Sequence, residues 1–156
     1  MPSNDTPKKI FLKGCPMGKE GLAGAAGILP GMLVERAAGG TVVVHATAGG
    51  PALPAFARPN EVIGNGIDVA YNDEDTVLYG VASSGHEVYA VVAASAPAIG
   101  DGVYLESAGD GTLAAVTTGT DGTLADVTTG TAVAKALEAV DNSGGAESAR
   151  IKVEVL

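Results

Sequence analysis

Glycine punctuation constrains this chain more than any other feature. Glycines make up 23 of the 156 residues, and many sit in pairs or beside Asp or Ser, where they cut the sequence into short runs of Val, Ala, Thr and Leu. Gly39-Gly40 precedes Thr41 to His45, and Ser83-Ser84-Gly85 precedes Glu87 to Ala94. Gly100-Asp101-Gly102 leads into Val103-Tyr104-Leu105, and Gly109-Asp110-Gly111 into Thr112-Leu113. Interior glycines cost a helix about 1 kcal/mol each relative to Ala, whereas turns bounding short β-branched runs are what a meandering sheet needs. Roughly eight or nine such runs at about ten-residue spacing predict an all-β fold, a small barrel or sandwich with little helix. The length suits one domain with a real core.

Several strands are legible individually. Thr76 to Val81 and Glu87 to Ala94 are apolar and β-branched. The C-terminal run alternates, with Ala149, Ile151, Val153 and Val155 on one face and Arg150, Lys152 and Glu154 on the other. Ala132 to Val140 is ambiguous, because its Ala, Lys, Leu and Glu favour helix while its length suits a buried strand. Residues 110–120 and 121–131 form a tandem duplication, DGTLAAVTTGT followed by DGTLADVTTGT. Two copies are too few for a solenoid, and the duplication reads as a lengthened hairpin or surface loop.

Charge divides the chain. Lys8, Lys9, Lys13 and Lys19 lie in a short N-terminal segment with only Asp5 against them, and no Lys or Arg occurs between Arg58 and Lys135. The net charge is −9. Residues 1–27 read as an extended arm interrupted by Pro2, Pro7 and Pro16 and carrying Gly18, Gly21, Gly24 and Gly27. Such a run suits a segment that lies flat against another surface, and an arm of this composition is expected to order only on binding; a solvated tail is the other reading. Residues 28–156 form the body. The acidic balance argues against nucleic acid as the main partner. The chain has no signal-peptide-like apolar run and no stretch of about 18 apolar residues, so the reading is of a protein made in a cytoplasm, with no membrane partner.

Candidate chemical sites are weak. Cys15 is the single cysteine, with no partner for a disulfide or zinc site, and reads as an inert thiol in a loop. Gly14-Cys15-Pro16-Met17-Gly18-Lys19-Glu20 is a residue short of a phosphate loop and places Glu where Ser or Thr must bind Mg²⁺. Asn72-Asp73-Glu74-Asp75 lacks the ligand spacing of a calcium loop and reads as a solvated turn. His45 and His86 have no acid or thiol at a telling spacing, and each reads as a surface or strand-end histidine. Asp101, Asp110 and Asp121 all precede Gly, as turn residues do. The expectation is no enzyme activity, no cofactor and no metal.

One ordered set of segments goes further. Glu87 to Ala93 is followed by Ile99-Gly100-Asp101-Gly102-Val103-Tyr104-Leu105, then Ser107-Ala108-Gly109-Asp110-Gly111-Thr112-Leu113. Beyond the repeat come Thr131 to Ala139 and the closing Ile151 to Val155, with Leu29-Pro30-Gly31-Met32-Leu33-Val34 upstream. This layout resembles the small capsid decoration, or cement, proteins of tailed bacteriophages over about residues 28–156. The duplication and the glycine-rich arm depart from the usual plan. The resemblance implies a β-barrel of the lambda head decoration type, a β-tulip, and favours a strand for Ala132 to Val140. It implies a homotrimer on the outer surface of the expanded head, with the N-terminal arm on the major capsid protein. Lys8, Lys9, Lys13 and Lys19 would then meet capsid carboxylates. A second class of reading is another virion structural module, a head–tail or tail component. A carbohydrate-binding β-domain would call for exposed aromatics, and this chain has four Tyr, two Phe and no Trp.

Overall fold

The computed structural model describes residues 6–116 and 131–156. Its strands are β1 (Phe11–Lys13), β2 (Met17–Leu22), β3 (Val34–Arg36), β4 (Val42–Val44), β5 (Ala55–Ala57), β6 (Thr76–Val81), β7 (Glu87–Val92), β8 (Tyr104–Ser107), β9 (Leu113–Ala115), β10 (Ala132–Ala136) and β11 (Ala149–Val155). The helical content among the described residues is one 3₁₀ turn, Glu61–Ile63. The fold is all-β and is built on a small closed barrel of five strands.

Barrel neighbours run β7, β11, β10, β8, β9, each antiparallel to the next. A parallel contact between Leu113 of β9 and Val92 of β7 closes the ring. In a barrel this small the interior must be filled by side chains. Val88, Ala90, Leu105, Leu113, Ala134, Ile151 and Val153 fill it, all essentially inaccessible. Ala132–Ala136 is a strand in spite of its helix propensity, because both its edges find partners, β11 on one side and β8 on the other. A register shift between Ala132 and Ala134 interrupts the β8 ladder, the kind of irregularity that bends a strand around a tight ring.

A second, smaller core holds Ala23, Ile28, Val34, Val42, Ala57, Tyr71, Val77 and Tyr79. It lies between the sheet β2–β6–β5 and the hairpin β3–β4. Leu33 and Phe56, buried in the barrel's core cluster and bridged to each other, join the two parts.

The N-terminal segment is extended and it is docked. Strand β1 pairs with β7 and β2 pairs with β6 along its whole length. Ile10 and Ala23 are 2% and 3% exposed. The surface on which the glycine-rich run lies flat is therefore the body of the same chain. A Cβ on Gly21 would stand 2.7 Å from Val42 Cγ2, and one on Gly24 would stand 2.8 Å from Val43 Cγ1. Glycine permits this approach of β2 to β4. Ordering on binding is not needed for residues 10–23, because main-chain pairing to β6 and β7 replaces the apolar side chains that the arm lacks. The duplication's hairpin or surface-loop reading falls largely on residues 117–130, outside the described residues. Of the first copy, Leu113–Ala115 forms β9.

Candidate functional site

Two arrangements combine polar chemistry with defined geometry. One is a buried node at His45. Sequence reading places this histidine at a surface or strand end. It directly follows the end of β4, but it is 3% exposed. Its Nδ1 lies 2.7 Å from Ser107 Oγ and its Nε2 lies 3.2 Å from the carbonyl oxygen of Pro51. A carbonyl only accepts, so the proton belongs on Nε2 and the Ser107 hydroxyl donates to Nδ1. Ser107 Oγ in turn accepts the Gly109 N–H at 3.2 Å. Glu35 Oε2 stands 3.8 Å from Nε2, while Glu35 Oε1 accepts the Ala46 N–H.

This trio of Ser, His and Glu has the residue types of a hydrolytic triad without its layout. Ser107 is 1% exposed, and its hydroxyl is already engaged on both sides. The node instead joins three segments: the end of β4, the loop at Pro51, and the turn between β8 and β9. Burial of His45 is favourable because each ring nitrogen has a partner. No spacing in the sequence links residues 45 and 107; the signal is only that each is a polar residue ending an apolar strand.

The other arrangement gathers the N-terminal cations. Lys13 lies opposite Glu87 in the β1–β7 register, and its Nζ donates to Glu87 Oε1 at 2.7 Å. Lys8, Lys9 and Lys19 are exposed and have no carboxylate within ion-pair distance among the described residues. The fold adds a fourth such cation that sequence reading did not group with them, Arg58. It follows β5, and its backbone N–H donates to Leu78 O. Its backbone carbonyl accepts the Tyr71 hydroxyl at 2.6 Å. Burial is the main cause that pushes the Tyr71 phenol above its usual value, partly offset by the Leu78 N–H that it accepts and by the Arg58 charge.

Arg58 stands between two surface depressions. One, of about 260 Å³, is lined by Lys9, Phe11, Cys15, Pro16, Arg58 and Glu61 among others. The second, of about 400 Å³, is lined by Gly18, Lys19, Glu20, Arg58 and Leu78. The first borders β1 and the turn into β2, the second borders β2, and the pair, sharing Arg58, make up the groove. The residues that superficially suggest a phosphate loop line this groove, but Met17–Leu22 is a strand, so no loop feeds a helix N-terminus there.

The remaining candidates are local. Cys15 is exposed. His86 Nδ1 accepts the Ser83 N–H across a turn, and its ring covers Gly14. In the turn at Asn72, Asp75 Oδ2 accepts the Asn72 N–H. Asp110 Oδ1 accepts from both the N–H and the hydroxyl of Thr112. Asp121 lies outside the described residues. No cluster of three His, Cys, Asp or Glu suited to a metal ion occurs among the described residues. No helix there is long and apolar enough to cross a membrane.

No protein-family model matches the chain, and no curated protein matches it.

Proposed function

We propose that this protein decorates the outside of a tailed-bacteriophage head, where it binds the expanded shell as a homotrimer seated on the major capsid protein. One observation carries the reading. The segments that resemble the decoration proteins, from Glu87 to Val155, supply all five strands of the closed barrel. Most of the likeness in turn and strand order thus falls on one closed structural unit; its upstream part, Leu29 to Val34, leads into β3 beside the barrel.

The physical role follows from linkage. A protein that binds the expanded shell and not its precursor stabilises the expanded form by mass action, and so resists the pressure of packaged DNA. Three sites on one trimer raise the effective concentration, so weak individual contacts suffice. The acidic surface keeps neighbouring trimers soluble at high local density. No enzyme activity and no cofactor enter this reading. Its place is the virion surface, after synthesis in the bacterial host.

The test is co-sedimentation of the purified chain with expanded and unexpanded heads of the phage that encodes it, together with its mass in solution. The expected result is a species of three 15.3 kDa chains that pellets with expanded heads only. A monomer that pellets with neither form would end the proposal.

A further inference from the structure

The geometry points to the groove beside β2 as a docking site for an acidic, extended segment of a partner protein, gripped by Lys9, Arg58 and Lys19. In a chain of net charge −9, these three exposed cations line two adjacent depressions that share Arg58, and none has a carboxylate within ion-pair distance among the described residues. Two carboxylates, Glu20 and Glu61, also line it, so the balance is net positive by a single charge. Cations left unpaired in a predominantly acidic surface are matched best by a partner of the opposite sign.

Shape supports an extended occupant. The two depressions meet at Arg58, whose guanidinium also approaches Gly18 of β2, to 3.8 Å from the position that a Cβ would take. Glycine at this place leaves the floor open beneath the guanidinium. The arginine is held from behind, since its N–H and C=O are bound by Leu78 and the Tyr71 hydroxyl. Its guanidinium presents a planar fork that suits a carboxylate.

An apolar contact adjoins the groove. Glu61 on its rim begins the 3₁₀ turn whose next residues, Val62 and Ile63, are 89% and 69% exposed. The turn is anchored at both ends, by buried Pro59 and by Ile67, and its backbone is closed by Gly64 N–H to Glu61 O and Asn65 N–H to Asn60 O. Two bulky apolar side chains held outward on a braced turn make an anchor beside a charged grip.

This inference deepens the decoration reading if the partner is a capsid protein, but it stands on the groove alone. The probe is an isotope-labelled sample of the full chain, titrated by NMR with a peptide of alternating Asp and Ala and with its Asn–Ala counterpart. The expected result is amide shifts confined to residues around 9–20 and 58–63 with the acidic peptide, absent with the neutral one. Arg58→Glu should weaken binding by about tenfold or more and reduce its salt dependence. Arg58 makes no side-chain hydrogen bond or ion pair among the described residues, so this variant is expected to keep its fold. Equal shifts with both peptides, or an Arg58→Glu variant that binds as well as the parent, would overturn the groove. Heads that bind parent and Arg58→Glu alike, when the variant also keeps the acidic-peptide shifts, would overturn it while leaving decoration intact. Heads that bind neither protein while the acidic peptide still titrates the groove would do the reverse.

Discussion

Ser107 Oγ and His45 Nδ1, 62 positions apart in sequence, meet at 2.7 Å in a buried site. The contact ties the barrel to the smaller core, because Ser107 belongs to β8 and His45 follows β4. Two main-chain bonds run beside it, Leu33 N–H to Gly111 O and Gly111 N–H to His45 O. Ser107→Ala removes the donor to Nδ1 and the acceptor for Gly109 N–H at once, and leaves the His45 nitrogen buried without its partner. The expected loss is about 1–3 kcal/mol, read as a lower urea midpoint at unchanged slope. Ser107→Thr keeps the hydroxyl and adds a methyl group to a closed site, so it should recover only part of the loss.

The sequence showed the barrel better than its attachments. Strands β7 and β11 alternate or run apolar because they pack on the core. Thr76–Val81 was readable to the residue for the same reason. Strand β2 is not, since glycine normally weakens a strand; here Gly21 is required by the approach of Val42, which is distant in sequence. The same limit applies to the candidate sites. The lysines of the arm stand out by composition. Arg58 joins two of them only through the β5–β6 and β2–β6 pairings, and His45 looks exposed until Ser107 and Pro51 are placed around it.

Arg150 clasps the loop after the 3₁₀ turn. Its guanidinium donates to the carbonyl oxygens of Ile67 and Pro30 and to Asp68 Oδ1, and lies 6.0 Å from the centre of the Tyr89 ring. Its side chain is 13% exposed, whereas that of Asp68 is 83% exposed. The carbonyl contacts therefore matter more than the ion pair. Arg150→Met should cost about 2–3 kcal/mol and speed amide exchange in the 60–70 loop. Asp68→Asn should cost less than about 0.5 kcal/mol. Equal losses from the two variants would show that the ion pair dominates after all.

Gly31 and Gly39 separate backbone strain from steric exclusion. Both have left-handed backbones, at φ +94° and +91°. A Cβ on Gly39 would meet nothing within 4 Å, but one on Gly31 would stand 2.7 Å from the Tyr89 carbonyl oxygen and 3.1 Å from Val91 Cγ2. The Gly31 carbonyl also accepts the Val91 N–H, so this residue cannot retreat without breaking a contact to the barrel. Gly39→Ala should cost about 1 kcal/mol, the left-handed strain alone. Gly31→Ala should cost clearly more and lower the thermal midpoint further than any single turn glycine in open space.

Tyr71 makes stability depend on alkaline pH. Burial raises its phenol above the ordinary value of 10.0, so the folded state holds this proton more tightly than the unfolded chain. Between the unfolded and the folded value the native state carries the extra proton, and stability falls as pH rises through that window. The contribution is complete below about pH 10 and is lost above it. Tyr89 is raised in the same direction, first by burial and then by Glu138, so it shares the slope. Tyr71→Phe should cost about 1–2 kcal/mol near neutral pH, because the hydroxyl's bonds to Arg58 O and from Leu78 N–H are lost. Its stability should then fall less steeply than that of the parent above about pH 10, and the gap between the two should narrow. Urea unfolding of both proteins across the alkaline range checks this. Parallel curves would mean that Tyr71 does not hold its proton more tightly in the folded state.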